Sequence, residues 1–290
     1  MKLNRLETVS WQDSQLLYHA QPRLEREGLN VLSPGSPYLC IGYFQDAEQE
    51  VDVTYCRDHH IPIFRREVGG GAVYLDGNQL FYQLIVHRDN PIVPNGRDAF
   101  YRKFLQAPIA VYRTLGIPVK YKPVNDIIIN GQKISGNGVG EIGDYVVFVG
   151  NLIVDFDYDT MVRVLRVPDE KFRDKVHKTL RDNLTTIQRE LGQVPPRDGL
   201  WDMLAHEFGR LLGPLEVDTT MDAEWRAEAD RLAERMICDE WLFRQRPSRS
   251  GRTVKIRDGV EIHHKTHKLS DGIKRAVVEL QAKLIISLSL

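Results

Sequence analysis

The sequence predicts an α+β fold, a mixed-sheet domain flanked by helices and followed by a small C-terminal unit. Three observations predict it. Hairpin signals at Asp76-Gly77 and Asn130-Gly131 mark antiparallel neighbours. The nearly continuous apolar run Tyr145 to Val154 suits a central strand buried on both faces. Amphipathic stretches such as 97–116 supply helices to cover it, and a composition shift after Trp241-Leu242-Phe243 opens a second unit.

In order, 8–27 predicts a helix, with Trp11, Leu16, Leu17, His19 and Leu24 at mixed helical spacing and Ser10 as cap. Leu29 to Leu32 and Tyr38 to Tyr43 are strands around Ser33-Pro34-Gly35-Ser36-Pro37. His59 and His60 are adjacent, so they face different ways and make a poor metal pair. Ile63 to Arg66, Ala72 to Leu75 and Gln79 to Val86 are strands, the last two joined as a hairpin with Asn78 in the turn. The helix at 97–116 ends near Gly116 and should kink or break at Pro108. Val119 to Tyr121 and Val124 to Ile129 return to the sheet. Asp155, Asp157 and Asp159 lack a calcium-loop pattern and fit a helix N-terminus. Charged residues fill 159–190, and helices follow at 198–212 and 221–238. A basic Pro/Gly/Ser-containing linker, 244–252, leads to strands at Thr253 to Ile256, Val260 to His263 and Leu284 to Leu288. Ile273 to Leu280 is a short helix or a further strand. His263, His264 and His267 cluster in this strand-like region, where 263 and 267 would not be neighbours.

Composition excludes several classes. A chain of 290 residues, 42% hydrophobic and 27% charged, is an ordinary soluble globular protein. A net charge of −1 gives no overall basic field for nucleic acid. Cys40, Cys56 and Cys238 form no metal or disulfide framework, which fits a reducing cytoplasm. Met1-Lys2-Leu3-Asn4-Arg5 starts no signal peptide, and no run reaches the length of a membrane span.

Two stretches carry the chemistry. In Arg65-Arg66-Glu67-Val68-Gly69-Gly70-Gly71-Ala72-Val73, three glycines let the backbone approach a ligand, and their N–H groups suit a carboxylate or phosphate. Arg65 and Arg66 offer forked donors to the same anion. A bulge or hairpin corner with surface arginines explains the same residues. In Asn125-Asp126-Ile127-Ile128-Ile129-Asn130-Gly131-Gln132-Lys133-Ile134-Ser135-Gly136, a buried strand turns at Asn-Gly and returns with Lys133. That lysine either reaches an anionic substrate or is a solvated edge-strand lysine.

The paired motifs Arg-Arg-x-x-Gly-Gly-Gly-Ala-Val and Asn-Asp-x-x-x-x-Gly-x-Lys-Ile-Ser-Gly resemble those of the lipoate–protein ligase family. That family shares a superfamily with biotin protein ligases and octanoyltransferases. The resemblance implies a biotin/lipoyl ligase-like catalytic domain over 1–245, strongest from residue 8, and at 246–290 a linker with part of a small accessory domain. That small domain is abbreviated, is completed by a separate chain, or continues past residue 290. The resemblance also implies activation of lipoate or octanoate by ATP with Mg²⁺ to acyl-AMP, then transfer to a lysine of a lipoyl carrier protein. Such carriers are a 2-oxoacid dehydrogenase lipoyl domain, a glycine-cleavage H protein or a related lipoyl-binding protein.

By the same resemblance, Lys133 is catalytic and contacts the acyl carbonyl and α-phosphate oxygens. Arg66, Gly70, Gly71, Ala72, Val73, Tyr74, Ser135 and Gly136 line the acyl and nucleotide sites, and Asp126 orients the incoming amine or Lys133. An apolar tunnel holds the acyl chain. A mobile loop lies over the charged stretch that ends at Asp182-Asn183-Leu184-Thr185. One departure is Leu75, where the family commonly has histidine. Octanoyl- or lipoyl-transferases work without ATP through a cysteine, and none lies between Cys56 and Cys238. Biotin ligases carry Gly-Arg-Gly-Arg, which is absent. A carrier-binding module without catalysis would not need Arg66, Gly71, Asp126 and Lys133.

Overall fold

The computed structural model describes residues 1–244 and, beyond them, 252–257, 259–269, 272–281 and 284–289. Side chains in that second part are described for 253–257 and 259–264. The chain opens with β1 (Lys2–Val9), α1 (Asp13–Arg23), β2 (Gly28–Pro34), β3 (Tyr38–Ile41), α2 (Ala47–Glu50), α3 (Val53–Asp58), β4 (Ile63–Arg65), β5 (Val73–Leu75) and β6 (Gln79–His87). It continues with α4 (Arg97–Phe104), α5 (Gln106–Thr114), β7 (Lys120–Lys122), β8 (Asp126–Ile129), β9 (Gln132–Ser135), β10 (Asn137–Ile142) and β11 (Tyr145–Ile153). Next come α6 (Tyr158–Val164), α7 (Glu170–Asn183), α8 (Ile187–Leu191), α9 (Arg197–Leu212), β12 (Glu216–Asp218), α10 (Ala223–Met236) and α11 (Asp239–Leu242). The C-terminal strands are β13 (Arg252–Arg257), β14 (Val260–Leu269), β15 (Gly272–Gln281) and β16 (Leu284–Ser289).

A six-stranded mixed sheet, β10-β11-β6-β2-β1-β12, is the frame. Its β1 runs parallel to both neighbours, and the other pairings are antiparallel. All of β6 except His87 is buried, because helices cover both faces. On one face Phe104, Val111 and Tyr112 of α4 and α5 and Leu204 and Phe208 of α9 pack against Tyr82 and Phe148. On the other, Leu16 and Leu17 of α1 meet Trp225 and Leu232 of α10 over Leu32 and Phe81. Two three-stranded sheets, β4-β3-β5 and β7-β8-β9, flank this frame and carry the two motifs.

Several helices start where a side chain satisfies their first free N–H groups. Asp157 caps α6, Asp169 caps α7 and Asp222 caps α10. The alternate aspartates at 155–159 therefore mark a helix start, as their spacing suggested. The lower core, with Leu39, Tyr74, Phe172, Val176 and Leu180, also takes in Val254 and Ile262. The antiparallel sheet β13-β14-β15-β16 thus packs on α7, where Arg257 Nε donates to Asn183 Oδ1 at 3.0 Å. Among the described residues no helix is long and apolar enough to cross a membrane.

Several expectations change. The helix expected at 8–27 begins only at Asp13, because residues 2–9 form β1. Asn4 is buried within β1 and donates to Asn30 Oδ1, so a polar residue hides the strand's apolar face. Asp76-Gly77-Asn78 does not close a hairpin: β5 pairs with β3, while β6 pairs with β2 and β11. The Asp76 carboxylate instead accepts from Asn78 N–H at 2.9 Å and turns the chain from one sheet into another. The helix at 97–116 breaks at Leu105, so Pro108 sits in the first turn of α5, where its missing N–H costs little. The loop implied over the charged stretch is largely helical, as α6, α7 and α8. Residues 273–280 are strand. The linker at 244–252 lies outside the described residues except for its ends, as does the boundary placed between 245 and 246, and so does the side chain of His267.

Tyr112 ties helix to sheet, since its buried hydroxyl donates to Ile134 O at 2.6 Å and accepts from Ile153 N at 3.3 Å. Tyr112→Phe should lower stability by about 1–2 kcal/mol. A urea midpoint equal to wild type would show that this tie is idle.

Candidate active site

The glycine stretch hangs between the two neighbours of β3. Strand β4 runs parallel to β3, the chain leaves the sheet after Arg65, and it re-enters as β5 on the opposite edge. Arg66 folds its guanidinium across the loop and donates to Gly69 O and Gly71 O, both at 2.9 Å from Nη2, and to Cys40 O at 3.3 Å. Gly70 takes φ of 107°, open only to glycine at low cost. Below it Gly42 must also lack a side chain, since a Cβ there would stand 2.2 Å from Gly70 O. Val68 anchors the loop, with its carbonyl accepting from Tyr43 N–H and its side chain lying over Gly140 of β10.

Arg65 does something else. It is fully buried, and its guanidinium donates to the carbonyls of Gly42, Tyr43, Gln45, Trp241 and Leu242. The expectation that both arginines share one anion is corrected: strand alternation puts them on opposite sides, and only Arg66 faces the glycines.

The second motif builds a tight hairpin. Asn130 and Gly131 both have positive φ, 49° and 81°, as a two-residue turn with right-handed strand twist requires. Across it Lys133 Nζ lies 2.9 Å from Asp126 Oδ1. Asp126 is 1% exposed and the Lys133 side chain 18%. Removing either partner leaves a desolvated charge behind. The lysine backbone is braced from across the chain: Thr185 N–H donates to Lys133 O at 2.8 Å, and Leu184 bridges the same residue. The segment ending in Asn183-Leu184 therefore abuts the lysine strand. Lys133 is a half-buried, ion-paired residue rather than a solvated edge lysine.

Two amides join the motifs. Gln79 Nε2 donates to Tyr74 O at 3.1 Å, Asn151 Nδ2 donates to Gln79 Oε1 at 2.7 Å, and Gly136 N–H donates to Asn151 Oδ1 at 2.7 Å. Ser135, fully buried, donates to Asn151 O at 2.7 Å. Tyr82 donates from its hydroxyl to Asn137 Oδ1 beside them. Gln79, Tyr82 and Asn151 were not singled out from the sequence. Their signal was polar atoms inside strands that are otherwise apolar. Of the expected site residues, Arg66 meets Gly69 to Gly71, and Lys133 meets Asp126. Gly70, Gly71 and Val73 are exposed, whereas the Tyr74 ring is buried against Phe156 and serves through its backbone. Among the described residues no group of three His, Cys, Asp or Glu side chains is placed to hold a metal.

Residues 8–209 match the model of the lipoyl protein ligase A/B catalytic domain. The chain belongs to this family. A lipoate–protein ligase of Streptococcus pyogenes is 29% identical over 78% of this chain and 69% of its own length. Octanoyltransferase LipM of Kyrpidia tusciae is 24% identical, over 72% of this chain and 84% of its own. In structure, the chain is similar to a bipartite lipoate protein ligase of Thermoplasma acidophilum described with its E2 lipoyl domain. The two share a TM-score of 0.72 and 25% identity, over 85% of this chain and 98% of that one. The mixed sheets with flanking helices are thus the lipoate ligase fold.

Around the family's glycine loop this chain places a buried histidine. His19 of α1 donates from Nδ1 to Gln15 O and accepts the Glu67 N–H on Nε2, at 2.7 and 3.1 Å. Burial pushes its pKa down from 6.5 to about 4, so the ring stays neutral in the folded protein. Cys40, beside Arg66, is also buried, and burial raises its thiol pKa; that of Cys56 is pushed up to about 12. Neither is a thiolate near neutral pH.

The His19 shift sets a pH dependence. Below pH 6.5 the unfolded chain takes up a proton that the folded chain refuses until about pH 4. Stability linked to this residue is therefore full above pH 6.5 and falls through that window, by about 3 kcal/mol in all. His19→Gln, which can still accept from Glu67 N–H, should flatten this part of the curve. Identical pH profiles of urea unfolding for the two proteins would refute the assignment.

Proposed function

We propose that the protein is a lipoate–protein ligase. It activates lipoate or octanoate with ATP to the acyl adenylate and transfers the acyl group to one lysine of a lipoyl carrier protein. The observation that carries this reading is the half-buried Lys133–Asp126 pair on a strand joined, through two amides, to a glycine loop faced by Arg66. An ammonium held in low dielectric is a strong donor toward oxygens that gain negative charge.

The chemistry follows from the charges. A carboxylate is a poor acyl donor. In the first step its oxygen attacks the α-phosphorus of ATP, pyrophosphate leaves, and a mixed anhydride forms. In the second, a neutral carrier amine attacks the acyl carbon, AMP leaves with the C–O bonding electrons, the nitrogen gives one proton to solvent, and an amide remains. Lys133 donates to the acyl carbonyl and α-phosphate oxygens in both steps. Arg66 exchanges loop carbonyls for the anion, and the N–H groups of Gly70, Gly71, Ala72 and Val73 line the nucleotide. Tyr74, Ser135 and Gly136 shape the walls. Asp126 fixes Lys133 and takes part in orienting the amine. Mg²⁺ would offset polyphosphate charge. A lipoate-protein ligase A described as bound with ATP shares the fold, at TM-score 0.68 and 23% identity.

The second reading is ATP-independent acyl transfer, which the octanoyltransferase relatives favour. Those reactions need a reactive thiol; Cys40 and Cys56 are both buried with raised pKa, and the half-exposed Cys238, just before α11, donates its thiol to Arg235 O at 3.2 Å. We therefore rank it second.

The carrier is an apo lipoyl domain, the kind of partner described with the Thermoplasma acidophilum ligase, and a cytoplasmic setting suits it. Its intact mass should rise by one lipoyl group with ATP, Mg²⁺ and lipoate, and not without ATP. Acyl gain from an octanoylated carrier in the absence of ATP would replace the ligase with a transferase.

Lys133→Met combined with Asp126→Asn keeps the pocket neutral and the fold intact. It should slow transfer from synthetic lipoyl-AMP by at least about 100-fold, the scale of losing one preorganised donor. Transfer within a few-fold of wild type would remove Lys133 from the mechanism.

A further inference from the structure

We infer that α10 and α11, which follow the part of the chain matching the family model, are a positioning element for Arg66 and the glycine loop. Arg66 stands between two residues that are tied to these helices. On one side, Arg65 donates from Nε and Nη2 to the carbonyls of Trp241 and Leu242, at 3.1 and 2.6 Å, and Trp241 Nε1–H donates to Arg65 O at 2.9 Å. On the other, the Glu67 carboxylate takes Arg235 of α10 at 2.7 Å and Arg23 of α1 at 2.8 Å. Arg235 also stands 5.7 Å over the Trp241 ring, so the two ties touch each other. The family model ends at residue 209, before any of Arg235, Trp241 and Leu242.

The physical logic is that of a short span clamped at both ends. Residues 65–67 are the entry to a loop whose three glycines have no side chains to hold them. Its shape rests on Arg66, whose guanidinium bonds two loop carbonyls. Where Arg66 starts from is set by its neighbours: Arg65 is tied to α11 by partly buried hydrogen bonds, and Glu67 is tied to α10 by the exposed guanidinium of Arg235. Arg65 leaves little slack: its charge is buried, and moving the Trp241 and Leu242 carbonyls away would take the acceptors from its Nε and Nη2. The hydrogen bonds that α10 and α11 make beside the loop go to Arg65 and Glu67, so they act through these two residues on Arg66.

The test rests on the ligase reading for its kinetic arm and is independent of it for the other. Two mild variants remove single ties: Trp241→Phe keeps an aromatic ring and loses the donor to Arg65 O, and Arg235→Gln loses the charge on Glu67. Arg235→Lys is the conservative control. Hydrogen exchange over peptides covering 66–75, without any ligand, should rise in Trp241→Phe and Arg235→Gln and return toward wild type in Arg235→Lys. With synthetic lipoyl-AMP and apo carrier, KM for the adenylate should rise about fivefold in both variants while kcat changes less than twofold, the pattern of lost binding rather than lost chemistry. Loop exchange equal to wild type in both variants overturns the inference, and so does raised exchange spread evenly over the whole chain. A wild-type protein that neither binds nor uses lipoyl-AMP would overturn the functional reading instead, and the exchange arm would still decide this one.

Discussion

Gln79 and Asn151 hold together parts of the site that belong to different sheets. The glycine strand β5 lies in one three-stranded sheet, and the lysine strand β9 lies in another. Both amides project from adjacent strands of the central sheet, β6 and β11: Gln79 reaches Tyr74 O of β5, and Asn151 takes the N–H of Gly136, one residue past β9. A side-chain amide is suited to this, because it carries a donor and an acceptor a fixed distance apart. Burial makes the link selective. An unpaired amide in this setting costs more than a formed hydrogen bond returns, so the flanking sheets have one favourable seating on the frame.

The same reasoning runs through the rest of the polar interior. The charges nearest the loop are spent on defined partners: Arg65 on carbonyls, Glu67 on two arginines, Asp126 on Lys133. Such groups add little net stability over apolar packing, and they exclude alternative arrangements. What they specify here is the geometry of a backbone loop with almost no side chains of its own. The helices on both faces of the central sheet complete the arrangement, since they help to bury Gln79 and Asn151.

The sequence showed most clearly those features whose backbone meaning is local. Asn130-Gly131 specifies its turn whatever surrounds it, and three glycines in a row have few structural excuses. The near-continuous apolar run at 145–154 could only be a buried strand or helix, and its β-branched residues chose the former. Pairing partners were another matter. Asp76-Gly77 makes a turn in either setting, and only the surrounding sheets decide that its two strands part company. The two arginines look equivalent in the sequence, yet strand alternation sends one inward and one outward, and which face is inward depends on residues 241 and 242. β1 was invisible because Asn4 occupies a core position, which is tolerable only with Asn30 opposite it. The Gln79–Asn151 link was unreadable for the same reason: one polar residue in a strand means nothing until its partner is known.

The parallel seating of β1 between β2 and β12 bears on how the protein is made. Met1 and Pro214, which meet at that edge, are 213 residues apart in the chain. A ribosome adding residues one after another completes β2 soon after β1, but the other side of β1 stays open until residues 216–218 emerge. Through most of synthesis one edge of the central sheet is therefore an unpaired strand, open to any other nascent chain. Its protection lies in composition. Lys2, Arg5 and Glu7 punctuate β1 with charge, and a charged edge is a poor template for pairing with strangers.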